Sequence, residues 1–360
     1  MTACAKPCAA IYIARGVRAE PDQVMIANGA QHVLYLAARA LLRPGDVAWV
    51  ENPGCQGARA AFQAAGAHWV PVPVDRDGLC WTTSPAPKVP RLIHVTPSHQ
   101  YPSGATMSIG RRQVLVAYAG EHGSYVVEDD SDSECRFDGY PLRALQGLDP
   151  AERVIYVGAF SKVLAPTWRL GYAVLPRELI RALRTWRAAT DRGSPHFLPE
   201  AFAPFVAEGH LERHVARWRR RYRARRDALA AALTKLPGTV LDPAPAGLHL
   251  RLGRPDATDD RAVARAAGRA GVAAEALAAY SIQPRCAKAW ARAMRPSSRP
   301  RWPGRPRTWP RCWLRPPAML RGAAITCRAA RRAALPARSP RRPTSPPSRH
   351  PPAGLRPPRR

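Results

Sequence analysis

Lys162 ends the run Val-Gly-Ala-Phe-Ser-Lys, residues 157–162, and Arg169 stands seven residues further on, ahead of Leu-Gly-Tyr-Ala-Val. The apolar run Val154, Ile155, Tyr156 and Val157 reads as a strand that delivers the lysine into a loop, and a second strand-like run opens at Arg169. A lysine at the end of a buried strand is easily desolvated. Desolvation disfavours the ammonium and frees the amine to attack a carbonyl. An arginine held close by grips a phosphate with a fixed fork of N–H donors. The pair has the chemistry of a lysine that forms a Schiff base with pyridoxal 5'-phosphate. A lone Ser-Lys in a strand connection would more simply be a surface lysine, so the neighbouring segments decide.

Upstream, Tyr125, Val126 and Val127 form a short apolar run that ends in Glu128, Asp129 and Asp130. A carboxylate just past a buried strand can pair with a pyridinium nitrogen, and that charge makes the ring an electron sink. The same acids also suit a solvated loop or a helix cap. Earlier, Val24 to Ala27 runs into Asn28-Gly29-Ala30-Gln31, followed by an amphipathic segment with Val33, Leu34, Ala37, Leu41 and Leu42 on one face. Arg43-Pro44-Gly45-Asp46 stops that helical pattern. A strand, a tight Asn-Gly turn and a helix N-terminus offer free backbone N–H groups and a dipole to an anion. Any α/β protein has several such turns. What distinguishes this chain is the order: phosphate cradle, ring-nitrogen acid, lysine, phosphate arginine.

Three motifs carry a family resemblance. They are Thr96-Pro97-Ser98-His99-Gln100-Tyr101-Pro102-Ser103-Gly104; Glu128 to Glu134 continuing to Arg136, Phe137, Asp138 and Gly139; and Gly158 to Lys162 with Arg169. Pro44-Gly45-Asp46, Glu51-Asn52-Pro53-Gly54 and Leu145 to Pro150 support them. From about residue 11 to about 284 the chain resembles class I/II aminotransferases of pyridoxal-phosphate fold type I. More narrowly, it resembles the aminotransferase-like domain of MocR-type regulators of the GntR family. The resemblance implies pyridoxal 5'-phosphate as cofactor, an amino acid and a 2-oxo acid as small-molecule partners, and a homodimer. It implies that Lys162 carries the cofactor, Asp129 pairs with its ring nitrogen, and Ser161 and Arg169 hold its phosphate. Ala30 and Gln31 join the same cup, and His99 and Tyr101 line the loop beside the ring.

Several positions depart from the family pattern. Cys55 stands where an aromatic ring stacks on the cofactor, Ser131 where a tyrosine phenol bonds its ring oxygen, Ala159 where a hydroxyl residue is usual, and Cys135 where an aromatic is customary. A lost stacking ring costs about 0.5–1.5 kcal/mol beyond area burial, and a lost neutral hydrogen bond about 0.5–1.5 kcal/mol. The expectation is weakened cofactor binding with the lysine chemistry intact.

Charge divides the chain. Residues 285–360 hold 21 of the 56 Lys and Arg, no Asp or Glu, and 16 of the 39 prolines; the first 284 residues carry a modest +9 of the total +30. So many prolines leave no helical or strand period, and such charge cannot build a core. This tail is expected to be disordered. Two functional readings accompany that expectation: nucleic-acid binding through phosphate contacts, or a frame-shifted continuation of the small domain's second half. On the second reading the chain lacks the segment that carries the arginine for the substrate carboxylate. MocR-type regulators begin with a winged helix-turn-helix domain, which residues 1–24 are too short to form, so the chain reads as a fragment at both ends. The seven arginines from Arg217 to Arg226 lie within helical spacing of Leu211, Val215, Trp218, Tyr222, Leu229, Leu233 and Leu236, which predicts an amphipathic helix with a solvated arginine face.

Eight cysteines show no paired metal-ligand spacing, which fits a reducing compartment and a cytoplasmic location. There is no signal-peptide pattern and no apolar run of membrane-spanning length. Strand-like runs at 47–50, 68–74, 91–96, 125–128, 154–158 and 170–175 alternate with helical patterns at 30–42, 56–65, 110–122 and 177–190. That alternation predicts an α/β three-layer sandwich around a mostly parallel sheet, with a partial small C-terminal α/β domain. The expected division is a remnant segment at 1–24, a large cofactor-binding domain at 25–195, linking helices and the partial small domain at 196–284, and the tail. Three functions stay open: amino-group transfer between an amino acid and a 2-oxo acid, effector sensing by a regulator domain without its DNA-binding part, and a decayed inactive copy.

Overall fold

The computed structural model describes residues 15–82, 88–131, 133–137, 142–164, 166–192, 197–236, 239–242, 246–253, 259–282 and 292–293. The expectations for residues 1–14 and 294–360 lie outside the described residues.

Eight strands form one sheet: β1 (Val24–Ala27), β2 (Val47–Asn52), β3 (His68–Asp75), β4 (Gly78–Leu79), β5 (Leu92–Val95), β6 (Tyr125–Asp129), β7 (Val154–Ala159) and β8 (Gly171–Val174). Their order is β1-β8-β7-β6-β5-β2-β3-β4. The run from β7 to β3 is parallel, whereas β8 pairs antiparallel with both β7 and β1, and β4 antiparallel with β3. Central strands are buried along their length, as in Val-Ala-Trp-Val-Glu-Asn of β2 and Val-Ile-Tyr-Val-Gly-Ala of β7. Near-continuous apolar runs belong to parallel strands covered on both faces.

The crossover helices supply that cover. On one face, α1 (Ala30–Leu41), α2 (Gln56–Ala64) and α4 (Ile180–Asp191) enclose a core with Leu34, Phe62, Val127, Val157 and Leu183. On the other, α3 (Ile109–His122) packs Leu115 and Ala119 against Trp49, Ile93 and Val126. Further along that side, α5 (Phe197–Ala207) and α6 (His210–Leu233) close over Tyr156, Phe160 and Tyr172. The 24-residue α6 buries Leu211, Tyr222, Leu229 and Leu233 and leaves Arg217, Arg219, Arg220, Arg221 and Arg223 exposed, which matches the expected amphipathic helix. Its far end joins Leu250 and Leu252 of the smaller unit, built from β9 (Val240–Asp242), β10 (His249–Gly253), α7 (Asp260–Arg269) and β11 (Arg292–Ala293).

β11 corrects one expectation. It lies inside the segment read as lacking regular structure, yet it pairs antiparallel with His249 and Leu250. No proline falls between residues 285 and 295, so the start of that segment keeps the backbone donors a ladder needs.

This topology gathers the chemistry-bearing residues. β8 is antiparallel to both β1 and β7, so the carboxyl ends of β1, β2, β5, β6 and β7 share one edge with the start of β8. Ala27, Gly171 and Ala159 stand level across β1, β8 and β7, and Asp129 stands level with Val157. With strands about 4.8 Å apart, the turn after β1 and the loop after β7 end about 10 Å from each other. Open α/β sheets hold their ligands outside this edge.

Candidate active site

The N-terminus of α1 forms one wall. Gly29 caps it at φ 83°, ψ 172°, a conformation open in practice only to glycine. The first intrahelical bonds run from His32 and Val33 to the Gly29 carbonyl, so the N–H groups of Ala30 and Gln31 precede the helical ladder. The Gln31 amide donates to the Gly57 carbonyl at 2.9 Å and ties this turn to the start of α2. Over the turn lies Arg169, whose Nη2 is 3.5 Å from the Asn28 carbonyl. Arg169 itself has φ 49°, an uncommon setting for a residue with a Cβ, and such strain concentrates at functional positions. Ser161 Oγ is buried and without a hydrogen-bond partner among the described residues. The turn thus brings two N–H groups and a guanidinium together, and the orphaned Ser161 hydroxyl lies in the loop after β7 at the same edge of the sheet.

Lys162 follows β7 in a tight turn closed by Val163 N–H to Phe160 O at 3.2 Å. α6 pins this turn from behind: the Tyr222 hydroxyl donates to the Lys162 carbonyl at 3.3 Å, and His214 Nε2 to the Val163 carbonyl at 2.9 Å. The lysine side chain thus projects from an anchored backbone.

Asp129 ends β6. Its Oδ1 accepts the Ser131 N–H at 3.2 Å and the Ser131 hydroxyl, while Oδ2 stands 3.8 Å from His94 Nε2. Burial alone would push this carboxyl up. His94, the Lys162 charge and Ser131 overcome it and hold Asp129 below the usual aspartate range. Asp129 is thereby kept anionic, as an acid paired with a pyridinium nitrogen must be. Ser131 occupies the position expected to hold a phenol and spends its hydroxyl on the carboxylate instead.

Cys55 is half-buried at the start of α2, its thiol bonded by the N–H groups of Gly57 and Ala58, with Asp129 and Lys162 near enough to act on it. Burial, with the Asp129 charge, pushes the thiol up. Neutral and small, it marks the face where the family pattern has a ring.

His99 and Tyr101 reach the site together with the smaller unit. The His99 ring lies 4.3 Å from that of His249 on β10, and Tyr101 meets His249 edge-on at 5.2 Å. Gly247 makes this approach possible, because a Cβ there would fall 2.0 Å from the His99 ring. The Tyr101 hydroxyl is engaged by Tyr280 at 2.9 Å and Glu275 at 3.2 Å, so it serves as a clasp between loop and smaller unit. Burial, with His99 and Lys162 adding to it, holds His249 well below the usual histidine range and keeps its imidazole neutral. Neither His94 nor His249 is among the residues singled out in the sequence. Their only signal is a histidine inside an apolar strand, Leu-Ile-His-Val and Leu-His-Leu.

These residues fit pyridoxal 5'-phosphate. The cup with its unpartnered Ser161 hydroxyl suits a phosphate, the anionic Asp129 a ring nitrogen, and Lys162 an aldehyde. Among the described residues no His, Cys, Asp and Glu cluster could hold a metal ion, and no helix is long and apolar enough to cross a membrane.

The family model for aminotransferase class I and II matches residues 4–304. The chain belongs to that family. It is 39% identical over 260 residues to the probable rhizopine catabolism regulatory protein MocR of Rhizobium meliloti, covering 72% of this chain and 52% of that protein. Against the HTH-type transcriptional regulator TauR of Rhodobacter capsulatus it is 40% identical over 219 residues, covering 61% and 45%. The chain spans about half the length of these curated relatives. Among solved structures, the kynurenine aminotransferase of Pyrococcus horikoshii, determined in complex with PMP, superposes with a TM-score of 0.75 at 28% identity over 82% of this chain and 76% of that one. The fold is that of an aminotransferase-like pyridoxal-phosphate domain.

Proposed function

We propose that this chain binds pyridoxal 5'-phosphate covalently through Lys162 and moves amino groups between an amino acid and a 2-oxo acid. One observation carries the reading: Lys162, an Asp129 held anionic, and the Gly29–Arg169 cup share one edge of the sheet. Bound pyridoxal phosphate supplies an electron sink for the carbon that carries the amino group. Arg169, Ser161 and the N–H groups of Ala30 and Gln31 would hold the phosphate and so orient the group beside Lys162. Asp129 holds the proton on the ring nitrogen. Lys162 Nζ would be the base that moves the proton of the substrate's amino-bearing carbon. His99 and His249, one of them neutral, exclude water from that side. We assign the large cofactor-binding domain to residues 25–195 and the smaller unit with its linking helices to 196–284. A homodimer in the cytoplasm is part of the same reading.

A second reading is favoured by two observations. Two relatives similar in sequence are named as a regulatory protein and a transcriptional regulator, and Cys55 and Ser131 replace groups that would grip the ring. On this reading the site binds cofactor and amino acid and signals by a shift of conformation without turnover.

One experiment tests both. Protein loaded with pyridoxal phosphate should give a visible band, and borohydride should fix the label on Lys162 by peptide mapping. A label elsewhere, or none on folded protein, removes both readings. With a panel of amino acids, stoichiometric release of a 2-oxo acid supports transfer. A reversible spectral change without 2-oxo acid supports sensing.

A further inference from the structure

His94 sits in the middle of the sheet with no exposure to solvent, and neither ring nitrogen has a hydrogen-bond partner among the described residues. A buried polar group left unpaired is costly, so its presence calls for a reason. The register supplies one. His94 pairs with Val50 of β2 and with Val127 of β6, and two residues past Val127 on the same face comes Asp129. Its Nε2 is 3.8 Å from Asp129 Oδ2. On the other side, the buried carboxyl of Glu51 is raised by burial and opposed by His94. The imidazole therefore faces Asp129 from the neighbouring strand and also acts electrostatically on Glu51, while Lys162 and the Cys55 thiol act on Asp129 from the loop after β7 and the start of α2.

The two carboxylates are served differently. Glu51 takes the Thr96 N–H at 3.2 Å, the Thr96 hydroxyl at 2.6 Å and the Gln100 amide at 3.0 Å. Asp129 has both of its Ser131 bonds on Oδ1, which leaves Oδ2 as the oxygen facing His94. A hydrogen on Nε2 presents positive charge to Oδ2 whether the ring is neutral or protonated. At ion-pair distance in a buried site that charge is weakly screened.

We infer that His94 is a positioning residue for Asp129, holding the carboxylate anionic and oriented from behind so that it can carry the ring-nitrogen partnership. This rests on the reading of Asp129 given above. His94 acts through Asp129, and a packing histidine would not discriminate between ligands with and without a ring nitrogen.

The test uses the full chain and two ligands, pyridoxal 5'-phosphate and its 1-deaza analogue, in which carbon replaces the ring nitrogen. His94→Phe fills the space without a donor, and His94→Gln keeps one. The expected result is that H94F weakens pyridoxal phosphate about tenfold, the effect of one pKa unit, and leaves the carbon analogue within about twofold. H94Q should recover most of the loss. Equal weakening of both ligands, or of neither, overturns the inference while leaving the cofactor reading standing. Wild type that binds neither ligand overturns the cofactor reading itself. A second measurement is independent of ligand: carboxyl carbon NMR of Asp129 in the cofactor-free protein. The Asp129 titration midpoint should rise by about one unit in H94F, and an unchanged midpoint overturns the inference. Should H94F fail to fold, His94→Asn, whose amide is too short to reach Oδ2, takes its place in both measurements.

Discussion

Gly171 and Gly29 touch: a Cβ on Gly171 would lie 2.8 Å from the Gly29 Cα, and one on Gly29 would meet the Arg169 guanidinium at 3.4 Å. Two glycines at the level where β1 meets β8 thus bring a helix N-terminus and an arginine side by side. The antiparallel pairing of β1 with β8 is what turns two segments about 140 residues apart into one cup.

Substituting either glycine should loosen that cup. G171A must push the two backbones apart, an overpacking of roughly 1–3 kcal/mol. G29A places a Cβ in this glycine-only region, at a cost of about 1–3 kcal/mol. Urea unfolding should register both losses, and pyridoxal phosphate affinity should fall with them. Unchanged affinity in both variants would show that the phosphate is held elsewhere.

Removing the amine and removing the acid should have different signatures. K162A is expected to abolish the borohydride-stable adduct while noncovalent binding persists. D129A should keep the adduct but weaken cofactor affinity by about tenfold or more, since an opposite charge near a titrating nitrogen shifts it by 1–3 units. Mass spectrometry of the reduced protein and equilibrium titration measure the two effects. An adduct that survives K162A would remove the lysine assignment.

Neighbouring acids should give opposite pH dependences. A carboxyl held below its unfolded value, like Asp129, adds stability that is present above the unfolded value and lost as pH falls through the folded one. The free-energy gap between wild type and D129N should therefore narrow as pH drops below about 4. Glu128 runs the other way. Burial, with Asp130 beside it, raises its carboxyl, so its protonated form is favoured on folding and stability declines as pH climbs past the ordinary glutamate value. E128Q should flatten that decline in a series of thermal scans. Parallel curves for wild type and both variants would contradict the assigned directions.

What could be read from the chain, and what could not, follows from how local each feature is. The strand runs at 47–50, 125–128 and 154–158 and the helical periods at 30–42 and 110–122 recur nearly residue for residue in β2, β6, β7, α1 and α3, because buried parallel strands and amphipathic helices write their burial into consecutive residues. Lys162, Asp129 and Arg169 stand out as candidates in the sequence because each lies at or just beyond the end of such an element. His94 and His249 do not. One meets Asp129 across two strands and the other meets His99 across two units, and neither relation leaves a trace in sequence spacing. Ser131 shows the same limit: the loss of a phenol is visible in the motif, whereas the bond its hydroxyl makes to Asp129 is not.

That bond changes what repair should achieve. C55Y adds a ring beside Asp129 and Lys162 and should tighten cofactor binding by about 0.5–1.5 kcal/mol. S131Y would gain a phenol but lose the hydroxyl that Asp129 accepts, and each exchange is worth about 0.5–1.5 kcal/mol. Its net effect should be near zero, and S131A should weaken binding by the same amount. Titration of the three variants decides; a clear gain in S131Y would mean that the serine bond is dispensable.

The anchoring of Lys162 by α6 yields the last expectation. Tyr222 donates to the Lys162 carbonyl and His214 to that of Val163, so two side chains of one helix fix the turn that aims the amine. Burial lifts the Tyr222 phenol to about 12, which keeps it a donor throughout the working range. Y222F retains the ring packed among the α6 aromatics and deletes only the hydroxyl and its bond to the Lys162 carbonyl. Stability should fall by about 0.5–1.5 kcal/mol. Adduct formation at Lys162 should slow by more than this stability loss explains, because misplacing a reacting group by a fraction of an ångström is expensive. H214A should act in the same direction, and the double variant should lose less than the two combined, since both restrain one turn. Stopped-flow rates that match wild type in Y222F, with the stability loss present, would show that the turn holds its shape without α6.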